Sequence, residues 1–330
     1  MIDESLNFAV IGLGNISIRH RGNLKKLFPK AKVYAVSASG RTPSEIIENA
    51  DKVLSSIDEI ININPKFVIV ASPAAFHAEH AIPFIQAGIP VLIEKPLSAS
   101  TIESHKILAA ADLHKTPVAV GYCLRYLSSS QEIKRLLDNK IVGKVYNVFV
   151  EIGQFLPDWR LTKNYRDSVS ASSKLGGGAL LELSHELDYI QWLFGELNLL
   201  SAILRSSKEL SLEVEDLADI LAKTSKRSVV SIHLDFLQKQ AYRKCRVLGS
   251  EGVLEWNLIK NQITLTNKEK NELIFDASNT DKNQMYLDML LDFENMINTK
   301  PNQCITLNEA HQTISFIDEI KKTAILTSNI

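Results

Sequence analysis

Residues 8–17 read FAVIGLGNIS, and this stretch decides the fold. Phe8 to Ile11 are continuously apolar, as a strand buried on both faces of a sheet must be. Gly12 and Gly14 follow, and a helical pattern over residues 16–28 comes next. Strand, glycine turn and helix in that order open a βαβ unit. The glycines permit the tight turn and let the backbone approach a pyrophosphate at the helix N-terminus. Ser17 takes the third glycine position and is small enough for close packing of helix on strand. Gly12, Gly14, Asn15 and Ile16 are therefore candidate cofactor-binding residues.

Working outward, the β-branched runs KVYAVSAS, FVIVASP, PVLIEKP and PVAVGYC alternate with helical patterns over residues 43–50, 77–87 and 101–114. Apolar strands separated by helices predict a doubly wound parallel sheet ending near Tyr122. The second part changes character. After a helix over 129–139, GKVYNVFVEIGQF, LSAILRSS, DLADILAKTS, SVVSIHLDFLQ, AYRKCRVLGS, EGVLEWNL and QITLTN read as consecutive antiparallel strands. Several alternate polar and apolar residues, which suits a sheet with one covered face. Helices are expected over 178–194, 284–297 and 307–326. The expected fold class is α/β: an N-terminal Rossmann domain over 1–122, then an α+β domain over 123–330 with a large, mostly antiparallel sheet.

The chain has 330 residues, 45% hydrophobic and 23% charged, enough apolar material for a large core. A net charge of −1 offers no basic field for nucleic acid or anionic lipid. Cys123, Cys245 and Cys304 lack metal or redox spacing, and the acidic start MIDESLNFAVIG is a poor signal peptide. No apolar run approaches the roughly 18 residues of a membrane helix. A cytoplasmic protein with reduced thiols, no metal and a small-molecule partner is expected.

Arg19, His20 and Arg21 place positive charge early in a helix, against its dipole, and read either as an anion site or as a solvated face. An acidic residue about 20 positions after the glycines would bind the ribose hydroxyls of NAD. Here the second strand ends VSASGR, with Ser37, Ser39 and Arg41 and no carboxylate, which favours NADP over NAD. The other reading of Ser39 to Arg41 is a plain turn.

VLIEKPLS, residues 91–98, ends an apolar strand in Glu94 and Lys95, pinned by Pro96. Ligands bind beyond the carboxyl ends of strands in such sheets, so the charged pair marks a working edge. Pro96 restricts Lys95 to extended backbone, and a cis Lys95–Pro96 bond is expected.

With AVIGLGNISIRHRGNL, ASPAAFHAEHA, VLIEKPLS, GYCLRY and GGGALLELSHELDYIQWLFG in order, the sequence resembles the glucose-fructose oxidoreductase / inositol dehydrogenase / MocA (Gfo/Idh/MocA) family nearly end to end. The resemblance implies a nicotinamide enzyme that oxidises or reduces a sugar, cyclitol or nucleotide-sugar hydroxyl in a cleft between two domains. It also implies a homodimer or homotetramer through the second sheet. Lys95 matches the lysine of the family's EKP motif, beside Glu94, and would stabilise the developing alkoxide or relay its proton. His185 matches the catalytic histidine, a group that titrates near neutral pH. Asp188 either orients His185 or pairs with a neighbour. Ser72, Pro73 and His77 match the loop on the nicotinamide-ribose side, though His77 has the alternative of capping its own helix.

Two departures stand out. The family's aspartate precedes the histidine by four residues, whereas Glu182 precedes His185 by three, on the same face of a continuous helix. Cys123 stands where many relatives carry a polar residue, and Arg125 is retained.

QFLPDWRLTKNYRDS concentrates Trp159, Arg160, Tyr165 and Arg166 in a loop. Arginines suit phosphate or carboxylate, and aromatics stack on sugar or base. With Arg125 they are the candidate substrate-binding residues, and they point to an anionic sugar such as a nucleotide-sugar. The other reading is an arm at a subunit interface. Competing functions are an NAD-dependent glycosidase of the same family and a non-catalytic cofactor-binding regulator.

Overall fold

The computed structural model describes residues 6–159, 161 and 164–327. Its packing divides into two compact units, the first running to Tyr122 and including Tyr286–Ile314, the second comprising Cys123–Met285 and the residues from Ser315. The sequence divides once, at 122/123. Packing instead returns residues 286–314 to the first unit: Phe293 meets Phe67 edge-on at 5.3 Å, Glu294 pairs with Lys66, and the Val120 amide donates to Ile305 O at 3.2 Å.

The first unit holds six strands, β1 (Asn7–Ile11), β2 (Lys32–Val36), β3 (Lys52–Leu54), β4 (Phe67–Val70), β5 (Val91–Glu94) and β6 (Val118–Gly121). They are parallel throughout, in the order β3-β2-β1-β4-β5-β6. Phe8 to Ile11 and Phe67 to Val70 are fully buried, as continuous apolar strings in a doubly covered sheet should be. Helices α1 (Asn15–Leu27), α2 (Ile57–Ile63), α3 (His77–Gln86) and α4 (Thr101–His114) alternate with the strands. The order reverses between β1 and β4, which puts the ligand crevice of such a sheet at the carboxyl ends of those strands.

No helix forms over residues 43–50, contrary to the sequence pattern. Pro43 lacks an amide donor, Gly40 and Asn49 take positive φ (71° and 59°), and the segment folds as successive turns. The short β3 and α2 follow instead, α2 being capped by the Ser56 hydroxyl, which accepts from Glu59 N at 3.3 Å.

The second unit holds a nine-stranded sheet of β7 (Val145–Gly153), β8 (Leu197–Arg205), β9 (Leu217–Thr224), β10 (Val229–Asp235), β11 (Tyr242–Gly249), β12 (Val253–Asn257), β13 (Gln262–Thr266), β14 (Asn271–Asp276) and β15 (Ile325–Thr327). Their order is β14-β13-β12-β11-β7-β10-β9-β8-β15. The sheet is mostly antiparallel, but β7 pairs with β10, and β8 with β15, in parallel. The alternation read from sequence is real. Val148, Val150, Ile220 and Ile232 are buried on one face, while Phe149 and Leu221 stand exposed on the other.

Helix α5 (Ser128–Asp138) precedes this sheet, and α8 (Gln284–Ile297) and α9 (Leu307–Thr323) close the chain. The last helix stops short of its expected end because Ile325 to Thr327 pair with β8. The helix expected over 178–194 is two, α6 (Ala179–Glu182) and α7 (His185–Phe194), separated at Leu183 and Ser184. No helix among the described residues is long and apolar enough to cross a membrane.

Candidate active site

The glycine turn is built for close approach. Gly12 has φ +113°, and a Cβ there would meet Ala71 O at 2.6 Å and Ser17 Oγ at 2.8 Å. Any side chain would strain the backbone and collide with the β4 end. Gly14, by contrast, has nothing within 4 Å of its Cβ position and is the N-cap of α1. No side chain caps α1 and no acidic residue lies in its first turn. Its terminal amides and dipole therefore suit a phosphate, so this turn fits a dinucleotide. Ser17 is buried and its hydroxyl donates to Ala71 O at 3.4 Å, holding helix to sheet as a third glycine would allow. Asn15 is exposed and Ile16 half-buried beside the turn.

The neighbouring basic residues take separate tasks. Arg21 is buried and donates from its Nη1 to Gly12 O at 3.2 Å and from its Nε to Glu48 O at 2.8 Å, tying the glycine turn in place. Burial pushes its pKa down, against the attraction of Glu48. Arg19 is exposed, with its guanidinium 4.6 Å from the Tyr286 ring centre. His20 is fully buried, and its Nε2 lies 2.6 Å from Glu94 Oε1.

At the end of β2, the Ser37 and Ser39 hydroxyls lie 3.2 Å apart, Ser37 buried and Ser39 exposed. Arg41 stands in solvent and pairs with Glu45 at 2.6 Å. The hydrogen bond from Arg41 holds the Glu45 carboxyl down at about 2.

The ends of β4 and β5 are bound together by buried side chains. Glu94 spends Oε1 on His20 and accepts the Lys95 amide on Oε2 at 3.1 Å. Burial alone would raise the Glu94 pKa, but the hydrogen bond and charge of His20, with Lys95 and its amide, bring it below the ordinary value. Gly121 gives the carboxylate room, since a Cβ there would sit 3.2 Å from Glu94 Oε1. Lys95 is half-buried, and its bond to Pro96 is cis, as expected. His77 is buried with Nε2 2.8 Å from Ser72 O and Nδ1 2.9 Å from Pro96 O, so both ring nitrogens face backbone. Burial pushes its pKa down, against the pull of those carbonyls. The Ser72 hydroxyl meets His80 Nδ1 at 2.9 Å, and Pro73 opens the turn that leads into α3.

In the second unit, His185 is half-buried at the first position of α7. Glu182 ends α6, so the shared face of one continuous helix does not apply to this pair. Asp188 and Arg125 form a bidentate pair at 2.7 and 3.0 Å, both buried, and the guanidinium also lies 5.6 Å from the Trp192 ring centre. The pair with Arg125 is one of the two roles open to Asp188. A second buried fork joins Glu186 to Arg243 at 2.6 and 2.9 Å.

The glycine run before α6 is pressed against neighbouring backbone. A Cβ on Gly177 would meet Val169 O at 2.4 Å, and one on Gly178 (φ +102°) would meet Glu215 Oε1 at 2.4 Å. Glu215 caps α6 twice, its carbonyl accepting from Ala179 N at 3.0 Å and its Oε1 from Leu180 N at 3.1 Å. Burial pushes the Glu215 carboxyl up. No motif marked this residue; only the fold brings the acidic stretch before β9 to the helix entry.

Of the loop cluster, Trp159 stacks edge-on against Phe236 at 5.4 Å, and the Tyr165 hydroxyl donates to Leu210 O at 3.1 Å. Arg166 is exposed with its guanidinium 4.8 Å from the Tyr165 ring centre, and Arg160 lies outside the described residues. Cys123 is buried, the three cysteines form no disulfide, and no metal-ligand cluster occurs among the described residues.

A parallel sheet in this order, with a glycine cradle and an uncapped helix N-terminus at its switch point, defines a Rossmann dinucleotide-binding unit. Family models agree with the geometry. Residues 6–122 match the oxidoreductase family, NAD-binding Rossmann fold, and residues 130–255 match the GFO/IDH/MocA C-terminal domain. The chain belongs to the Gfo/Idh/MocA oxidoreductase family. Inositol 2-dehydrogenase of Agrobacterium fabrum is 24% identical over 258 residues, 76% of this chain and 73% of that one. Among solved structures, levoglucosan dehydrogenase in complex with NADH superposes with a TM-score of 0.84 at 19% identity, over 97% of both chains. The WlbA dehydrogenase from Bordetella pertussis, in complex with NADH and UDP-GlcNAcA, gives 0.80 at 19% identity, also over 97% of both.

Proposed function

We propose that this protein is a nicotinamide-dependent dehydrogenase or reductase that interconverts a secondary hydroxyl and a ketone on a sugar, cyclitol or nucleotide-sugar. The observation that carries this reading is Lys95 at the carboxyl end of β5, with its amide fixed by a buried carboxylate that His20 holds in turn. The named activities of the relatives support the same reaction class.

In this reading Gly12, Gly14, Asn15 and Ile16 take the pyrophosphate, and Ser72, Pro73 and the Glu94–Lys95 edge take the nicotinamide side. When bound, the nicotinamide supplies a hydride donor or acceptor. Lys95 hydrogen-bonds the reacting oxygen and stabilises its charge as it develops. His185 moves the proton of that oxygen as general acid or base. Asp188 and Arg125 act together as a rigid fork behind His185, one turn further along α7. Glu182, the last residue of α6, is assigned to the site as a polar neighbour.

The adenosine ribose is proposed to carry a phosphate, making NADP(H) the preferred cofactor. Ser37 and Ser39 offer hydroxyls at the end of β2, and the Arg41–Glu45 pair is exposed, so solvent screens it and a phosphate can displace Glu45. NADPH is expected to bind about 10-fold more tightly than NADH, as a charge-assisted contact to phosphate would give. Titration of each nucleotide against protein fluorescence measures this directly. Equal affinities would remove the roles given to Ser37, Ser39 and Arg41 while leaving the reaction class untouched.

A further inference from the structure

Two turns leave the carboxyl edge of the parallel sheet side by side, residues 71–74 after β4 and 95–98 after β5. The ladder between β4 and β5 runs only as far as Val70 and Ile93. Beyond that point strand pairing no longer sets one turn against the other, and side chains do so instead.

His77, the first residue of α3, is buried between the two. Its Nε2 lies 2.8 Å from Ser72 O, while its Nδ1 lies 2.9 Å from Pro96 O and 3.3 Å from Leu97 O. One imidazole therefore spans both turns, and its nitrogens are turned to them and not to the amides of its own helix. His80, three residues on and on the same face of α3, has its Nδ1 2.9 Å from Ser72 Oγ. Lys95 is held on both sides along the chain: Glu94 accepts its amide at 3.1 Å, and His77 meets the two carbonyls that follow it. All the partners of His77 are acceptors. A neutral ring donates to one side at a time and a charged ring to both. Burial opposes the charge, and the three carbonyls with the nearby Glu94 carboxylate favour it.

We propose that His77 is a positioning residue for the reaction, its Nδ1 holding the turn that carries Lys95 and its Nε2 holding the Ser72 turn on the nicotinamide side. The proposal rests on the reaction proposed above and deepens it: His77 touches neither substrate nor cofactor, and acts by setting the distance between the residue that meets the reacting oxygen and the turn that meets the nicotinamide.

Two substitutions in the full-length protein separate the two tasks. Asparagine brings an amide N–H close to the place of Nδ1, and glutamine brings one close to the place of Nε2. His77→Phe would strip both sides and leave buried carbonyls unpaired, so the polar pair is the test. His77→Asn keeps the Lys95 turn and frees Ser72: the Kd of NADPH and NADH, read by protein fluorescence, is expected to rise about 3- to 10-fold, with kcat within about 3-fold of wild type. His77→Gln keeps Ser72 and frees the Lys95 turn: kcat for reduction of scyllo-inosose or 3-ketoglucose is expected to fall about 10- to 100-fold, the scale of a misplacement by an ångström, with nucleotide Kd within about 3-fold. In a Lys95→Ala background His77→Gln should cost less than about 2-fold in kcat, because the residue it positions is gone. Hydrogen exchange of the Leu97 and Ser98 amides, which needs no substrate, should be about 10-fold faster in His77→Gln than in His77→Asn.

Equal losses of kcat and of nucleotide affinity in both variants, as a merely structural histidine would give, overturn the positioning role and leave the reaction standing. So does a full His77→Gln loss on top of Lys95→Ala. A wild type that reduces neither ketone, while exchange rises in His77→Gln alone, overturns the reaction and leaves the clamp.

Discussion

Lys95→Ala is expected to lower kcat by about 10³-fold while nicotinamide nucleotide affinity changes only a few-fold, as for loss of one preorganised donor to a developing oxyanion. The separation of effects follows from the local structure. The glycine cradle, Arg21 and the uncapped α1 terminus do not involve the Lys95 side chain, so binding of the pyrophosphate persists. Glu94 keeps His20, and the Lys95 amide that Glu94 accepts is backbone, which alanine also provides. Steady-state rates and nucleotide titration on the same preparation read the two quantities. A variant that retains wild-type kcat would remove Lys95 from the chemistry.

His20→Leu is expected to cost about 1–3 kcal/mol of stability near neutral pH, the usual consequence of leaving a buried carboxylate without its hydrogen-bond donor. Glu94 is only 6% exposed, and among its partners His20 supplies the largest share of what offsets its burial. The sign of the pH dependence is specific. In the wild type the Glu94 pKa is depressed, so its contribution is present above the ordinary carboxylate pKa and lost as pH falls through the folded value. Without His20, burial dominates and the Glu94 pKa rises, so the carboxyl protonates more readily. The deficit of the variant should therefore be largest near neutral pH and shrink as pH falls toward the ordinary carboxylate value. Denaturant unfolding of both proteins across that range checks it, with His20→Gln as the variant that retains a donor. A deficit independent of pH would mean that lost packing, not the pair, accounts for the effect.

Much of this was legible in the sequence because it is written in local patterns. Apolar strings gave β1, β4 and β5, glycine spacing gave the turn, and Pro96 after a charged strand end gave the cis bond. What was hidden depends on residues far apart in the chain. His20 and Glu94 are 74 positions apart, and nothing in SIRHRG says that the histidine turns inward while Arg19 faces solvent. Glu215 caps α6 from 35 positions downstream. Three-residue strands such as β3 and β15 carry too few side chains to show a period, and β15 read as the tail of a helix. The break between Glu182 and His185 was equally invisible, since both sides of it have helical spacing. It matters because the three-residue spacing of Glu182 and His185 puts two side chains on one face only in an unbroken helix.

The most direct test of the proposed reaction is isotopic. Reduced nicotinamide nucleotide carrying deuterium at its C4 position would be incubated with the protein and a panel of keto-sugars, keto-cyclitols and nucleotide keto-sugars, and the products analysed by mass spectrometry. The account predicts one deuterium bound to carbon in a reduced sugar, formed in proportion to oxidised nucleotide and lost with Lys95→Ala. A protein that binds the nucleotide tightly yet places no deuterium in any carbohydrate, or only cleaves glycosides with no net oxidation of nucleotide, would contradict it.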